Sequence, residues 1–269
     1  MRKPIIWSFS AVLLVILVGW IFWQLLELRE PAYQGKPLSF WLDQHKKNSM
    51  FPDLPDRIEA DNAIRSIGNN ALPVLVRWTA VKDSTFKKKL IVLMRKQSLI
   101  QFPFHSDEEY HALADAGFAA LGPLAKPAVP ELIKLLNHPD PWVRVAAGYD
   151  LMWIGPEAQD AIPALITCLN DSNGMVRFRA TRCLCAIHMK PELVVPALAR
   201  SLEQSSVPPS ETISALVQYG EDAKPAVPQL VRLLNSKDLR TRLTASNALH
   251  RIDPGMTIPS ITPDESFLE

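Results

Sequence analysis

Two marks recur at nearly constant intervals through the second half of this 269-residue chain. The first mark is a proline inside an apolar segment, at Pro130, Pro163, Pro196 and Pro228. The second mark is a leucine in the segment that follows, at Leu151, Leu184, Leu216 and Leu249. Both advance by 32 or 33 residues at each step. Because two separate marks keep one period, the sequence predicts an array of structural repeats.

Each repeat has the pattern of two helices joined by short turns. Apolar residues follow Pro130 at helical spacing, and a proline in a first turn removes a backbone N–H that has no partner there. A second helix is predicted after Asp140, a candidate N-cap, and Gly155 is expected to end it. Its inward stripe is Val143, Ala147, Leu151 and Ile154. This use of proline accounts for a chain with 23 prolines and only 10 glycines.

The repeated residues resemble those of HEAT repeats, in the short variety that includes the phycobilin lyase-like repeats. One unit has PAVP at 127–130, Asp140, Val143-Arg144, Ala147, Leu151 and Ile154-Gly155. The set returns as Val176-Arg177, Ala180, Leu184 and Ile187, and as Thr241-Arg242, Ala245, Leu249 and Ile252. His188 and Asp253 depart from it by replacing the final glycine. The resemblance implies an all-α fold, an α-α superhelix in which neighbouring repeats stack to form the core.

A membrane anchor is predicted at the N-terminus. Residues 5–26 contain no charge, and 22 helical residues span roughly 33 Å, enough for a hydrocarbon core of about 30 Å. A cleaved signal peptide would have a shorter apolar region, of about 7 to 15 residues. Arg2 and Lys3 precede the segment, whereas Arg29 and Lys36 follow it. The positive-inside rule then favours a cytoplasmic N-terminus and an extracytoplasmic solenoid, periplasmic in a bacterium.

Five regions follow along the chain. They are the transmembrane anchor 1–29, a juxtamembrane linker with a short amphipathic helix at 30–55, degenerate first repeats with a basic segment at 56–106, regular repeats at 107–253, and a frayed tail at 254–269. Ser39 is the candidate N-cap of the short helix. The array is expected to be the part that binds a partner.

The sequence offers no catalytic constellation. None of the six histidines is followed by glutamate, which argues against the iron-dependent hydroxylases built of HEAT repeats. The net charge of +1 provides no broad field for nucleic acid. Three cysteines suggest neither a disulfide framework nor a zinc site. We therefore expect a non-catalytic scaffold without cofactor or metal; the alternative is an accessory or lyase-like module that presents a small ligand or chromophore to a partner protein.

The candidate partner-binding residues lie opposite the inward stripe of the second helices, on the concave side of such a solenoid. They are Val145, Tyr149, Met152, Phe178, Arg182, Asn247 and His250. Their aromatic, methionine and arginine content is typical of a protein- or peptide-binding surface. The alternative is that the strip is covered by other segments or tilted into the core.

Two sets of basic residues have different expected roles. Arg144, Arg177 and Arg242 occupy one position of successive repeats and are expected to pair with inter-repeat acids such as Asp171. A basic patch is formed by Lys87, Lys88, Lys89, Arg95 and Lys96. This patch is predicted either to contact a membrane surface or acidic partner, or to be a solvated helix face.

Overall fold

The computed structural model of the chain describes residues 30–48, 50–51, 53–82, 106–203 and 209–257. The predicted anchor, the basic patch at 87–96 and most of the predicted frayed tail lie outside these residues. Within the described ranges, no helix combines the length and the apolar character needed to span a bilayer.

The described chain begins with a small hairpin that leads into a helix. Strands β1 (Ala32–Tyr33) and β2 (Lys36–Pro37) are antiparallel, with Ala32 opposite Pro37. Helix α1 (Leu38–Lys47) follows at once. The prediction that the Ser39 side chain caps this helix is wrong. The backbone N–H of Ser39 instead donates to the Glu30 carboxylate at 2.7 Å, so an acidic side chain from outside the helix satisfies that N–H.

Eleven further helices are seen in the described residues. They are α2 (Pro55–Ile67), α3 (Leu72–Thr79), α4 (Asp107–Leu121), α5 (Val129–Leu135), α6 (Pro141–Ile154), α7 (Ile162–Cys168), α8 (Gly174–Ile187), α9 (Pro191–Ser201), α10 (Pro209–Gln218), α11 (Val227–Leu233) and α12 (Leu239–Ile252). Four 3-10 segments connect them, at Gly68–Ala71, Gly122–Ala128, Gly155–Ala161 and Gly220–Ala226. The predicted all-α repeat architecture is confirmed.

The repeats end where the sequence predicts, including one that lacks the glycine. Gly155 ends α6 with a φ of 71°, in the left-handed region that glycine adopts without steric cost. His188 holds the corresponding place after α8 with a φ of 49°. The ψ of His188 is 42°, whereas that of Gly155 is −140°, so the two helices end in different turns. The His188 ring stacks on Tyr219 with centroids 4.6 Å apart.

A continuous core runs along the array. The predicted stripe of α6, from Val143 to Ile154, is buried. The second helices α4, α6, α8, α10 and α12 pack successively against one another, whereas neighbouring first helices meet mainly through the 3-10 segments. This closer packing places the second helices on the inner, concave side.

Candidate functional site

The predicted strip is only partly open. Arg182, Asn247 and His250 are exposed, and Tyr149, Met152 and Phe178 are half-buried. The prediction that Val145 is an exposed residue of the strip is wrong. Its side chain is only 7% exposed and packs into the core. Its side chain still borders a depression between α4 and α6, of which it forms part of the floor.

The first concave feature is this depression, which we name the α4–α6 depression. It has a volume of about 270 Å³. It is lined by Glu108, His111, Ala112, Asp115, Trp142, Val145, Ala146, Tyr149 and Asp150. Two predicted strip residues, Val145 and Tyr149, thus meet residues of the preceding repeat there.

A second concave feature lies farther along the array, and we name it the α8–α10 depression. Its volume is about 250 Å³. It is lined by Met152, Thr181, Arg182, Cys185, Ala186, Glu211, Ser214, Ala215 and Gln218. The structure therefore brings the predicted residues Met152 and Arg182 together, whereas Asn247 and His250 border neither depression.

Arg179 connects these two features and was not foreseen from the sequence. Its side chain is only 5% exposed, and its guanidinium carbon lies 3.0 Å from the centroid of the Tyr149 ring. Burial lowers the pKa of Arg179, and contacts with Tyr149 partly offset this effect. The Phe178 ring lies between two arginines, 5.6 Å from Arg179 and 5.9 Å from Arg182.

A glycine makes the position of Arg179 possible. A Cβ atom added to Gly148 would lie 2.6 Å from the Cγ of Arg179, so only glycine leaves room for this side chain. Glycine within a helix is less stable than alanine by roughly 1 kcal/mol. The presence of Gly148 inside α6 therefore indicates that close packing requires it. Gly148 was the sequence signal that could have identified the contact.

Two carboxyl groups of the α4–α6 depression are held away from bulk water. Asp150 is 1% exposed, and its Oδ2 is hydrogen-bonded to the Thr79 hydroxyl at 2.6 Å. Burial raises the pKa of Asp150 well above its ordinary value, and nearby Asp115 raises it further. Burial also raises the pKa of Asp115, while a 2.6 Å hydrogen bond from the Trp153 indole opposes the rise.

The recurring arginines lie away from this surface, at the turns between helices. Arg144 donates to both oxygens of Asp171 in the next repeat, at 2.7 and 2.8 Å. Partial burial raises the pKa of Asp171, but hydrogen bonds from Arg144 and from a backbone N–H outweigh it, so the pKa lies below its usual value. Arg177 donates to the Asp171 carbonyl at 2.6 Å, and Arg242 to the Ser236 carbonyl at 2.9 Å.

The cysteines of the array are free thiols. Cys168 and Cys183 are buried and Cys185 is half-buried. Burial raises the pKa of Cys168 to about 11, which keeps this thiol protonated near neutral pH. No group of three histidine, cysteine or acidic side chains among the described residues is arranged to hold a metal ion.

A comparison with protein families identifies the repeats. A family model described as HEAT repeats matches residues 105–185 and, in a second placement, residues 129–217. This part of the chain is therefore similar in sequence to HEAT repeats. No curated protein matches the chain in sequence.

Solved structures of helical repeat proteins are similar to this fold. An engineered protein has 22% identity and a TM-score of 0.47, covering 81% of this chain and 97% of its own. A designed armadillo repeat protein in complex with the peptide (KR)4 has 16% identity and a TM-score of 0.45, covering 80% and 99%. A mutant of Kap121p has 16% identity and a TM-score of 0.50, with 80% of this chain matching 25% of that one. At these identities the likeness concerns the solenoid fold alone.

Proposed function

We propose that this chain is a non-catalytic HEAT-repeat scaffold, anchored in a membrane by residues 5–26, that binds a protein or peptide along its concave face. The observation that carries the proposal is the row formed by the α4–α6 depression, the Tyr149–Arg179 contact and the α8–α10 depression. Aromatic and arginine side chains dominate the energetics of many protein interfaces. A partner that lies across successive second helices would meet all three features.

The size of the depressions favours a macromolecular partner over a small ligand. Pockets for drug-sized ligands and cofactors have volumes of about 300 to 1,000 Å³. The two depressions have about 270 and 250 Å³ each and are open to the surface. Side chains of a bound segment suit such shallow spaces better than a chromophore, which requires a deep pocket.

In this proposal, the membrane anchor determines on which side of the membrane the solenoid lies. Arg2 and Lys3 lie on the cytoplasmic side, and the solenoid lies outside the cytoplasm. A reporter that is active only in the cytoplasm, fused after Glu269, should therefore be inactive. An active cytoplasmic reporter would contradict the topology without affecting the assignment of the groove.

Crosslinking in native membranes followed by mass spectrometry tests partner binding. The variant Tyr149→Ala/Phe178→Ala/Arg182→Ala should lose the crosslinked partner, because it removes aromatic and cationic side chains from both depressions and from the surface beside them. A matched control replaces exposed residues of the first helices, Lys134→Ala and Arg200→Ala. Circular dichroism should show that both variants stay folded. Equal recovery of the partner with the groove variant and with the control would refute the proposal.

A further inference from the structure

The α4–α6 depression has the dimensions of a site for one side chain. Its volume is about 270 Å³ and it is open to the surface. It is smaller than ordinary ligand pockets. Its floor contains the aliphatic side chains of Val145, Ala146 and Ala112, which suit the methylene groups of a long side chain.

The lining of the depression is acidic. Among the residues that the structure describes, three carboxyl groups border it, those of Glu108, Asp115 and Asp150, and no lysine or arginine does. His111 is hydrogen-bonded to the Val81 carbonyl at 3.0 Å, so one ring nitrogen is already engaged. Lys82, on the adjoining surface, is paired with Asp140 at 2.8 Å. Within the described part of the chain, a cation that enters the depression therefore meets carboxyl groups without a lysine or arginine in the lining, while the charge of Arg179 acts on Asp115 from outside it.

The three carboxyl groups differ in their access to this space. Asp150 is 1% exposed and its Oδ2 accepts from the Thr79 hydroxyl, so this carboxyl group is buried at the edge of the depression and is not open to a ligand. Asp115 uses Oδ1 for the Trp153 indole, which leaves its Oδ2 available within the described part of the chain.

An aromatic ring borders the same space. The Trp142 side chain, from the start of α6, is 60% exposed and lines the depression. Cations bind favourably over indole rings, and a planar guanidinium can stack on the ring while it donates to carboxylates. The second ring, Tyr149, already has Arg179 over it. Trp142 is therefore the ring that remains open to a ligand cation.

We propose that the α4–α6 depression binds one basic side chain of the partner protein, with arginine as the best fit. The guanidinium donates to Asp115 and Glu108 and stacks on Trp142, while its methylene groups pack on Val145. This inference rests on the proposed scaffold function and names the chemistry of the partner. Arginine forms paired hydrogen bonds with carboxylates, whereas its neutral analogue citrulline has the same shape and no charge.

The test uses the full-length chain in lipid nanodiscs and two fluorescein-labelled peptides. One peptide is (Gly-Ser-Arg)4, and the other has citrulline in place of every arginine. Fluorescence polarisation should show that the arginine peptide binds at least about tenfold more tightly, as expected when charge-assisted hydrogen bonds are made. Equal dissociation constants for the two peptides would overturn the proposal.

Matched variants test whether the preference for arginine arises in the α4–α6 depression. Glu108→Gln/Asp115→Asn should remove most of the preference for arginine. The control variant Asp160→Asn/Glu192→Gln makes the same change of net charge at exposed sites outside the depression. It should keep the preference for the arginine peptide within about twofold, because salt screens distant surface charges. Equal losses in both variants would indicate general electrostatic attraction and would also overturn the site. If the native partner still crosslinks to the groove while no arginine preference exists, only the side-chain site fails and the scaffold proposal stands.

Discussion

Gly148→Ala should destabilise the protein, although glycine to alanine within a helix ordinarily stabilises by about 1 kcal/mol. The added methyl group would lie 2.6 Å from the Cγ of Arg179, well inside van der Waals contact. Arg179 is almost fully buried and stacks on Tyr149, so it cannot move without losing that contact. The sign of the change therefore reports whether Arg179 is held in place.

The expected magnitude follows from opposing contributions. Overpacking of a buried contact costs roughly 1 to 3 kcal/mol. Displacement of a buried guanidinium from an aromatic ring loses up to about 2 kcal/mol. These losses overlap, since the clash is relieved only when Arg179 moves away. After subtraction of the gain in helix propensity, the free energy of unfolding should fall by about 1 to 2 kcal/mol.

A double-mutant cycle with Arg179→Ala gives the decisive measurement. In that background the nearest remaining atom, the Cβ of residue 179, lies 3.6 Å from the new methyl group, an ordinary contact. Gly148→Ala should then stabilise by about 1 kcal/mol, so the effect reverses sign. Urea unfolding of the detergent-solubilised full chain, followed by circular dichroism, measures all four proteins. The same sign and size in both backgrounds would refute the proposed packing.

Three further predictions concern stability. Asp171→Asn should lower the free energy of unfolding by about 2 kcal/mol because it breaks the paired hydrogen bonds with Arg144. Since the folded-state pKa of Asp171 lies below its usual value, this loss should be seen above pH about 4 and should vanish in more acidic urea titrations. Because the folded-state pKa of Asp150 is raised, the free energy of unfolding should fall as the pH rises above about 4. Asp150→Asn should weaken that fall between pH 5 and 8. An unchanged slope of the free energy of unfolding against pH would contradict this prediction. Gly155→Ala should lower the free energy of unfolding by about 1 kcal/mol or more, because a residue with a Cβ atom is strained at a φ of 71°. A thermal midpoint equal to that of the wild type would contradict this prediction.

Repetition made the array predictable from the sequence. Most units carry similar local signals, such as the cap Asp140 and the terminal Gly155 of α6, and each signal acts on residues close to it in the chain. The buried stripe of α6 was also correct, because helical periodicity fixes which side chains share one face. The wrong assignment of Ser39 as a cap arose from a non-local partner, Glu30, that supplies the carboxylate instead.

The binding surface was less predictable. A helical wheel places Val145 beside Tyr149, but it does not show that Val145 is buried in the core. It also gave no reason to bring Arg179 over Tyr149, which depends on the close approach of α8 to α6 at Gly148. The wheel also could not place Glu211 beside Arg182 around the α8–α10 depression, because the two residues belong to different helices of neighbouring repeats.

By itself the sequence determined the repeat length, the helix boundaries to within a few residues, the all-α class and the inner stripe that forms the core. These features depend on backbone geometry and on periodic burial, both of which are local or repeat along the chain. Only the tertiary structure decided which of the predicted strip residues are open and which carboxyl groups are desolvated. Those properties depend on contacts between side chains of neighbouring repeats. The packing between repeats sets the distance between their helices and therefore determines these contacts.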